Sequence, residues 1–257
     1  MNNVLIMGSG RSGTSLVSGT LAKAGYFMGD ELYPPRDSNP KGFFESPEIN
    51  GINEAILSSI DYEDLSWIKR YYLRYCLTDF APVGQHHGWV ARVPIGAKMS
   101  VSPPVLARMK RATDRHPFCF KDPRFSYTLP LWRPFLQDCV FICVFREPFA
   151  TARSIVKECG DVDHLNNERM NLQIAIEVWM LMYQHILRIH RQQGNWLFIH
   201  FDQVLTGQGL DKIEYVTGAS VDRAFPEASL KRSPATGKMS RRVAHIYEEL
   251  CELAGHP

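Results

Sequence analysis

The sequence predicts a single three-layer α/β domain, with a central, mostly parallel sheet flanked by helices. Three observations carry this. Apolar runs such as Val4–Met7, Cys139–Phe145 and Trp196–Ile199 do not alternate with polar residues, as suits strands covered on both faces. Helical patterns separate these runs, which is the βαβ order of a parallel sheet. Two of the runs pass through a short polar turn straight into a helix. The chain of 257 residues, 45% hydrophobic and 22% charged, suffices for one such domain over 1–257.

The first unit is VLIMGSGRSGTSLVSGTLAKAG, Val4 to Gly25. Its strand, glycine loop and helix suit a P-loop, and Leu16, Val17, Thr20 and Leu21 keep helical spacing before Gly25 stops the helix. Glu31 to Pro47 holds four prolines and one glycine and reads as a loop, with a helix expected from Pro47. Asp61 to Phe80 is aromatic and basic; it reads as packing, within a helical or loop insertion at about 61–115. The basic run Ala107 to His116 reads as a solvated helix face. His116 to Ser126 reads as a strand that ends in the loop Lys121-Asp122-Pro123-Arg124. In Asp138 to Val156, Cys139–Phe145 is a strand ended by Arg146, and Pro148 opens a helix. Asn166 to Gln193 has a long helical pattern, NWLFIHFDQVL supplies another buried strand and turn, and Ser240 to Leu253 closes as a helix.

Composition excludes several classes. A net charge of +2 does not argue for a nucleic-acid partner. The cysteines form no C-x-x-C motif and read as thiols of a reducing, cytoplasmic protein; Cys119, Cys139 and Cys143 fall in apolar runs. No secretory leader pattern is seen, and no apolar stretch approaches the ~20 residues of a membrane span. His86 and His87 are adjacent, but no spaced carboxylate or cysteine set accompanies them, so a loop is expected rather than a metal site.

The polar residues that follow strand ends carry the chemistry. Gly8 and Gly13 keep P-loop spacing, but Thr14 follows where a nucleotide-binding P-loop has lysine, and Arg11 lies inside the loop. Loop amides, a helix N-terminus, the hydroxyls of Ser12, Thr14 and Ser15 and the planar fork of Arg11 make an oxyanion cradle. The missing lysine argues against transfer of a phosphoryl group from a magnesium-bound nucleotide. Thr14, Lys121 and Arg146 each follow a strand, which sets them along one crevice at the carboxyl ends of a parallel sheet.

Together these segments resemble the sulfotransferases that use 3′-phosphoadenosine 5′-phosphosulfate, PAPS. GSGRSGTS is similar to their 5′-phosphosulfate loop, in the R-S-G-T form of carbohydrate and tyrosylprotein sulfotransferases and their bacterial relatives. VFICVFREPFATARSIV is similar to their 3′-phosphate motif, with Arg146 and Ser154 in the matching places. FKDPRFS resembles a tyrosylprotein sulfotransferase segment, and HFDQVL a strand-plus-YEDL segment; the likeness is scattered over Val4 to Leu205.

The resemblance implies that Arg11, Ser12, Gly13, Thr14 and Ser15 hold the 5′-phosphosulfate, and that Arg146 and Ser154 hold the 3′-phosphate. It implies Arg11 and Lys121 as charged catalysts, no required metal, and transfer to a hydroxyl of a small molecule, sugar or lipid headgroup. The general base is left among Glu45, Glu31 and Asp122, with Glu45 the nearest counterpart of the glutamate in the tyrosylprotein and heparan branches. The apolar neighbours Phe43 and Phe44 are expected to raise the pKa of Glu45. The cytosolic R-K-G-x-x-G loop is absent; Leu230 to Arg242 reads either as a basic flap that takes its place through Ser233 and Lys238 or as a linker before the last helix. No dimer motif is visible, which leaves the oligomeric state open. A nucleotide or small-molecule kinase and a non-catalytic module binding the product nucleotide, PAP, are the alternatives.

Overall fold

The structure, a computed structural model, describes residues 1–37, 39–60, 87–161, 170–227 and 237–257. The aromatic segment 61–80, Cys76, His86, His164 and Ser233 lie outside the described residues.

Four parallel strands form the sheet: β1 (Asn3–Met7), β2 (Cys119–Lys121), β3 (Cys139–Phe145) and β4 (Asn195–His200), in the order β2-β1-β3-β4. Val4 pairs with Cys119, Asn3 with Cys139, and Val140 with Asn195. The unbroken apolar runs follow from pleating between two covered faces. Val4 and Ile6 of β1, with Val140, Ile142 and Val144 of β3, enter one cluster; Leu5 and Met7, with Phe141, Cys143 and Phe145, enter the other.

Helices cover both faces. On the first lie α1 (Thr14–Leu21) and, after α2 (Pro47–Leu57), α3 (Pro103–Thr113), α4 (Phe125–Trp132), α5 (Pro148–Asp161) and α6 (Leu172–His185), also α7 (Phe201–Leu205) and α8 (Gln208–Thr217). On the second, α2, α4, α6 and the terminal α9 (Arg241–Ala254) contribute Ile52, Leu129, Trp179 and Ile246 to a core that includes Trp132 and Tyr183. The basic run falls on α3, where Met109 and Thr113 are buried while Lys110 and Arg111 face outward, as expected of a solvated face. The long helical pattern is broken: α6 ends at His185 and continues as a π turn, Ile186–His190. Cys119, Cys143 and Cys159 are buried free thiols. Among the described residues no helix is long and apolar enough to cross a membrane.

The strand order makes β1 and β3 the point where the chain reverses direction across the sheet, and the crevice between their carboxyl ends is the favoured ligand position in such folds. The loop after β1 crosses this point closely. A Cβ on Gly8, which has φ 133°, would stand 2.1 Å from the Val144 carbonyl oxygen, so only glycine fits. Beneath it the fully buried Tyr183 hydroxyl of α6 lies 2.7 Å from Val144 O and 3.0 Å from Ser12 Oγ, and accepts from Ser9 N–H at 3.1 Å. One phenol thus joins the loop, β3 and α6.

Tyr183→Phe keeps the ring and removes these bonds. Leaving buried polar groups unmet costs about 1–3 kcal/mol, so the variant is expected to unfold at lower urea with an unchanged denaturant slope.

Candidate active site

The loop between β1 and α1 presents backbone donors at the start of a helix. Arg11 (φ 68°) and Gly13 (φ 97°) adopt left-handed backbone, and Gly13 caps α1 without a side-chain hydrogen bond. The N–H groups of Gly13, Thr14 and Ser15 have no partner among the described residues, and α1 adds the positive end of its dipole. Thr14 and Ser15 line the cavity in front of the loop. Ser12 does not: its hydroxyl is buried against Tyr183, so its side chain supports the loop from below.

Arg11 joins the loop after β1 to the helix after β3. Its Nε donates to Ser154 Oγ at 3.1 Å, and Nη1 lies 3.2 Å from Glu158 Oε2, both on α5. Glu158 stands one helical turn after Ser154, a relation legible from i, i+4 spacing once Ser154 is singled out. Arg146, at the end of β3, lies with its guanidinium carbon 4.6 Å from the centre of the Phe201 ring. The same ring leaves no room for a Cβ on Gly13, whose place would be 2.5 Å from Phe201 Cδ2. Burial lowers the affinity of Arg146 for its proton; Asp202 and Glu147 oppose this, and Arg11 adds repulsion. Of Leu230 to Arg242, Lys238 is exposed, and the adjacent Gly237 lies against Phe149 at the start of α5.

At the end of β2 the side chain of Lys121 is 1% exposed; it donates to Ser15 Oγ at 3.2 Å and forms a close ion pair with Glu45 Oε1. Asn50 of α2 donates to Glu45 Oε2 at 2.7 Å. This corrects the expectation for Glu45. Burial does push its carboxyl up, but Lys121, Arg124 and the bonds from Asn50 and Lys121 outweigh burial, and the net shift is downward. The apolar flank does not decide it, because Phe44 turns away onto Phe225, ring centres 5.6 Å apart.

The other two base candidates separate from the site. Asp122 is fully buried, accepts from Asn53 at 2.8 Å and from the Arg124 backbone and guanidinium at 2.9 Å, and burial raises its pKa. It fixes Arg124, which also pairs with Glu54. Glu31 is exposed and does not line the cavity.

The cavity has a volume of about 480 Å³ and brings together Arg11, Thr14, Ser15, Glu45 and Lys121. Neither Arg146 nor Ser154 is part of its lining, though Ser154 accepts from Arg11, which is. Its remaining wall contains Tyr33, Phe43 and Trp89, which sequence reasoning did not select. Trp89 belongs to a 3₁₀ turn (Gly88–Val90) held by Gly88 N–H donating to Glu54 at 2.9 Å. His87 caps that turn, in keeping with the loop expected there, and the described residues contain no group of three or more metal-ligating side chains.

No protein-family model and no curated protein matches the chain. Solved structures do. The sulfotransferase domain from the Synechococcus PCC 7002 olefin synthase superposes with a TM-score of 0.52 at 16% identity, over 97% of this chain and 94% of that one. The sulfotransferase domain from the curacin biosynthetic pathway superposes with a TM-score of 0.54 at 13% identity, over 97% of each chain. At such identity the likeness speaks for architecture: a parallel sheet of order β2-β1-β3-β4, flanked by helices, with a glycine loop at its reversal point, and in this the chain has the fold of the sulfotransferase domains.

Proposed function

We propose that this chain is a PAPS-dependent sulfotransferase acting on a hydroxyl of a small molecule, sugar or lipid headgroup. The observation that carries the reading is the meeting, in one cavity, of unpartnered loop amides with a buried lysine–glutamate pair. The donor set suits PAPS: the loop amides, Thr14 and Ser15 for the 5′-phosphosulfate, and Arg146 with Ser154 for the 3′-phosphate. Arg11 bridges the two groups of residues. PAPS when bound supplies the sulfuryl group and departs as PAP.

The protein's own part is positional and electrostatic. Lys121 holds a positive charge beside Ser15, where negative charge develops on a departing oxygen. Glu45 is ionised at neutral pH and keeps lone pairs beyond those used by Lys121 and Asn50, so it can take the proton of a hydroxyl brought to it. An anion beside Lys121 shares its ammonium, and Glu45 regains proton affinity as that share is withdrawn.

Melting curves with PAP, or with ATP and magnesium, each with and without EDTA, test the donor. Saturation at 100 times the dissociation constant stabilises by about 2.7 kcal/mol, a rise of roughly 5–10 °C at this size. A rise with PAP that survives EDTA is expected; a rise only with magnesium and ATP would turn the reading to a kinase.

Arg146→Ala is expected to weaken PAP binding by about 1.5–3 kcal/mol, the scale of charged hydrogen bonds. Adenosine 5′-phosphosulfate, which lacks the 3′-phosphate, should be affected much less in the same titration. Equal losses would remove Arg146 from the 3′-phosphate role.

Glu45→Gln is expected to lower kcat by about 10²–10⁴-fold while PAP still binds; unchanged turnover would exclude Glu45 as the base. The same pair of proteins has a pH signature. The pKa of Glu45 is depressed in the folded state, so its contribution to stability is present above its ordinary value of 4.5 and is lost as pH falls through the lower folded value. Urea titrations of both proteins from neutral to acid pH should show the wild-type advantage shrinking on that side.

A further inference from the structure

Residues 33–37 and 39–45 form a strap that lines the cavity through Tyr33, Arg36, Phe43 and Glu45. Tyr33 N–H donates to Glu45 O at 2.9 Å, closing its base, and Asn39 N–H donates to Arg36 O at 2.8 Å, closing its tip. The strap is pinned from outside: Lys41 Nζ lies 2.6 Å from Glu227 and 4.8 Å from the centre of the Phe225 ring. Phe44 takes a left-handed backbone, φ 53°, which a bulky side chain rarely adopts. That turn sends Phe44 to Phe225 and leaves Phe43 on the cavity wall.

The charges about this cavity are not paired one to one, because Arg124 takes two carboxylates. Arg11 faces Glu158, Lys121 faces Glu45, and Arg124 faces Asp122 and Glu54. Arg36 also lines the cavity, yet it has no carboxylate partner among the described residues; its guanidinium lies 6.0 Å from the centre of the Phe43 ring. An aromatic wall of Tyr33, Phe43 and Trp89 with a guanidinium at the rim recognises a flat apolar body with an anionic group.

Resting on the sulfotransferase reading, we infer that the acceptor is an apolar alcohol carrying an acidic group, and that Arg36 is the residue that selects for it. The alcohol end points to Glu45 and Lys121, and the acid end meets Arg36 at the rim. Arg36 takes no part in holding the donor.

The test uses 3-(4-hydroxyphenyl)propanoate, its methyl ester and the corresponding amine as probes. Each is titrated calorimetrically into the wild-type protein and Arg36→Gln, with and without saturating PAP. The acid is expected to bind the PAP-loaded wild-type protein at least tenfold more tightly than the ester, with the amine weakest. Arg36→Gln should abolish that preference and leave PAP affinity unchanged. Equal binding of acid and ester, a preference that persists in Arg36→Gln, or no binding of any probe overturns the inference. Failure of PAP to bind either protein is a separate result and counts against the donor assignment, while the acid-to-ester ratio without PAP still judges Arg36.

Discussion

A single buried phenol holds the site to the sheet. The loop after β1 has few contacts of its own, since glycines and short hydroxyl side chains make up most of it. Tyr183 reaches up from α6 to meet Ser9, Ser12 and the last carbonyl but one of β3. With its underside satisfied in this way, the loop can present its remaining amides outward. Gly8 and Gly13 serve the same arrangement by letting the loop lie directly on Val144 O and on the Phe201 ring. Phe201 in turn supports Arg146, so the turns after β1 and β3 share one apolar footing.

The site's charges are organised by proximity and dryness. Lys121, Arg124 and Asp122 are all buried, and a buried ion is costly unless paired. All three are paired within a network that extends through Glu45, Asn50, Asn53 and Glu54, most of it from α2. Helix α2 is therefore the member that fixes the Glu45–Lys121 end of the cavity, as α5 and α6 fix the glycine-loop end. Substitution of one member leaves another charge without compensation, so the network acts as a unit.

Much of the fold was legible in the sequence because strands covered on both faces are apolar throughout, and glycine and proline mark their ends. The three strand-end motifs Thr14, Lys121 and Arg146 could be set on one side of the sheet by the same logic. What escaped reading depends on distant pairing. The state of Glu45 could not be judged from Phe43 and Phe44, since Lys121 and Arg124 come from a different part of the chain. Trp89 and Tyr33 became visible as cavity walls only after α2 had joined their segments. Tyr183 sat within a helical apolar stripe that gave no hint of its hydroxyl's duty, and the π turn after α6 has no period of its own to detect.

The strand order has a consequence for how the chain is made. β1 lies in the interior of the sheet, yet its neighbours are β2 and β3: Val4 waits for Cys119, and Asn3 for Cys139. A ribosome produces this apolar strand well before either partner, and closure over so long a span is slow. During that interval β1 can stay solvated only as a short, exposed, sticky segment, a species open to aggregation or capture by a chaperone. The strand that carries the anion loop is thus synthesised before both of its neighbours and, by the same topology, is enclosed only after β3 has emerged.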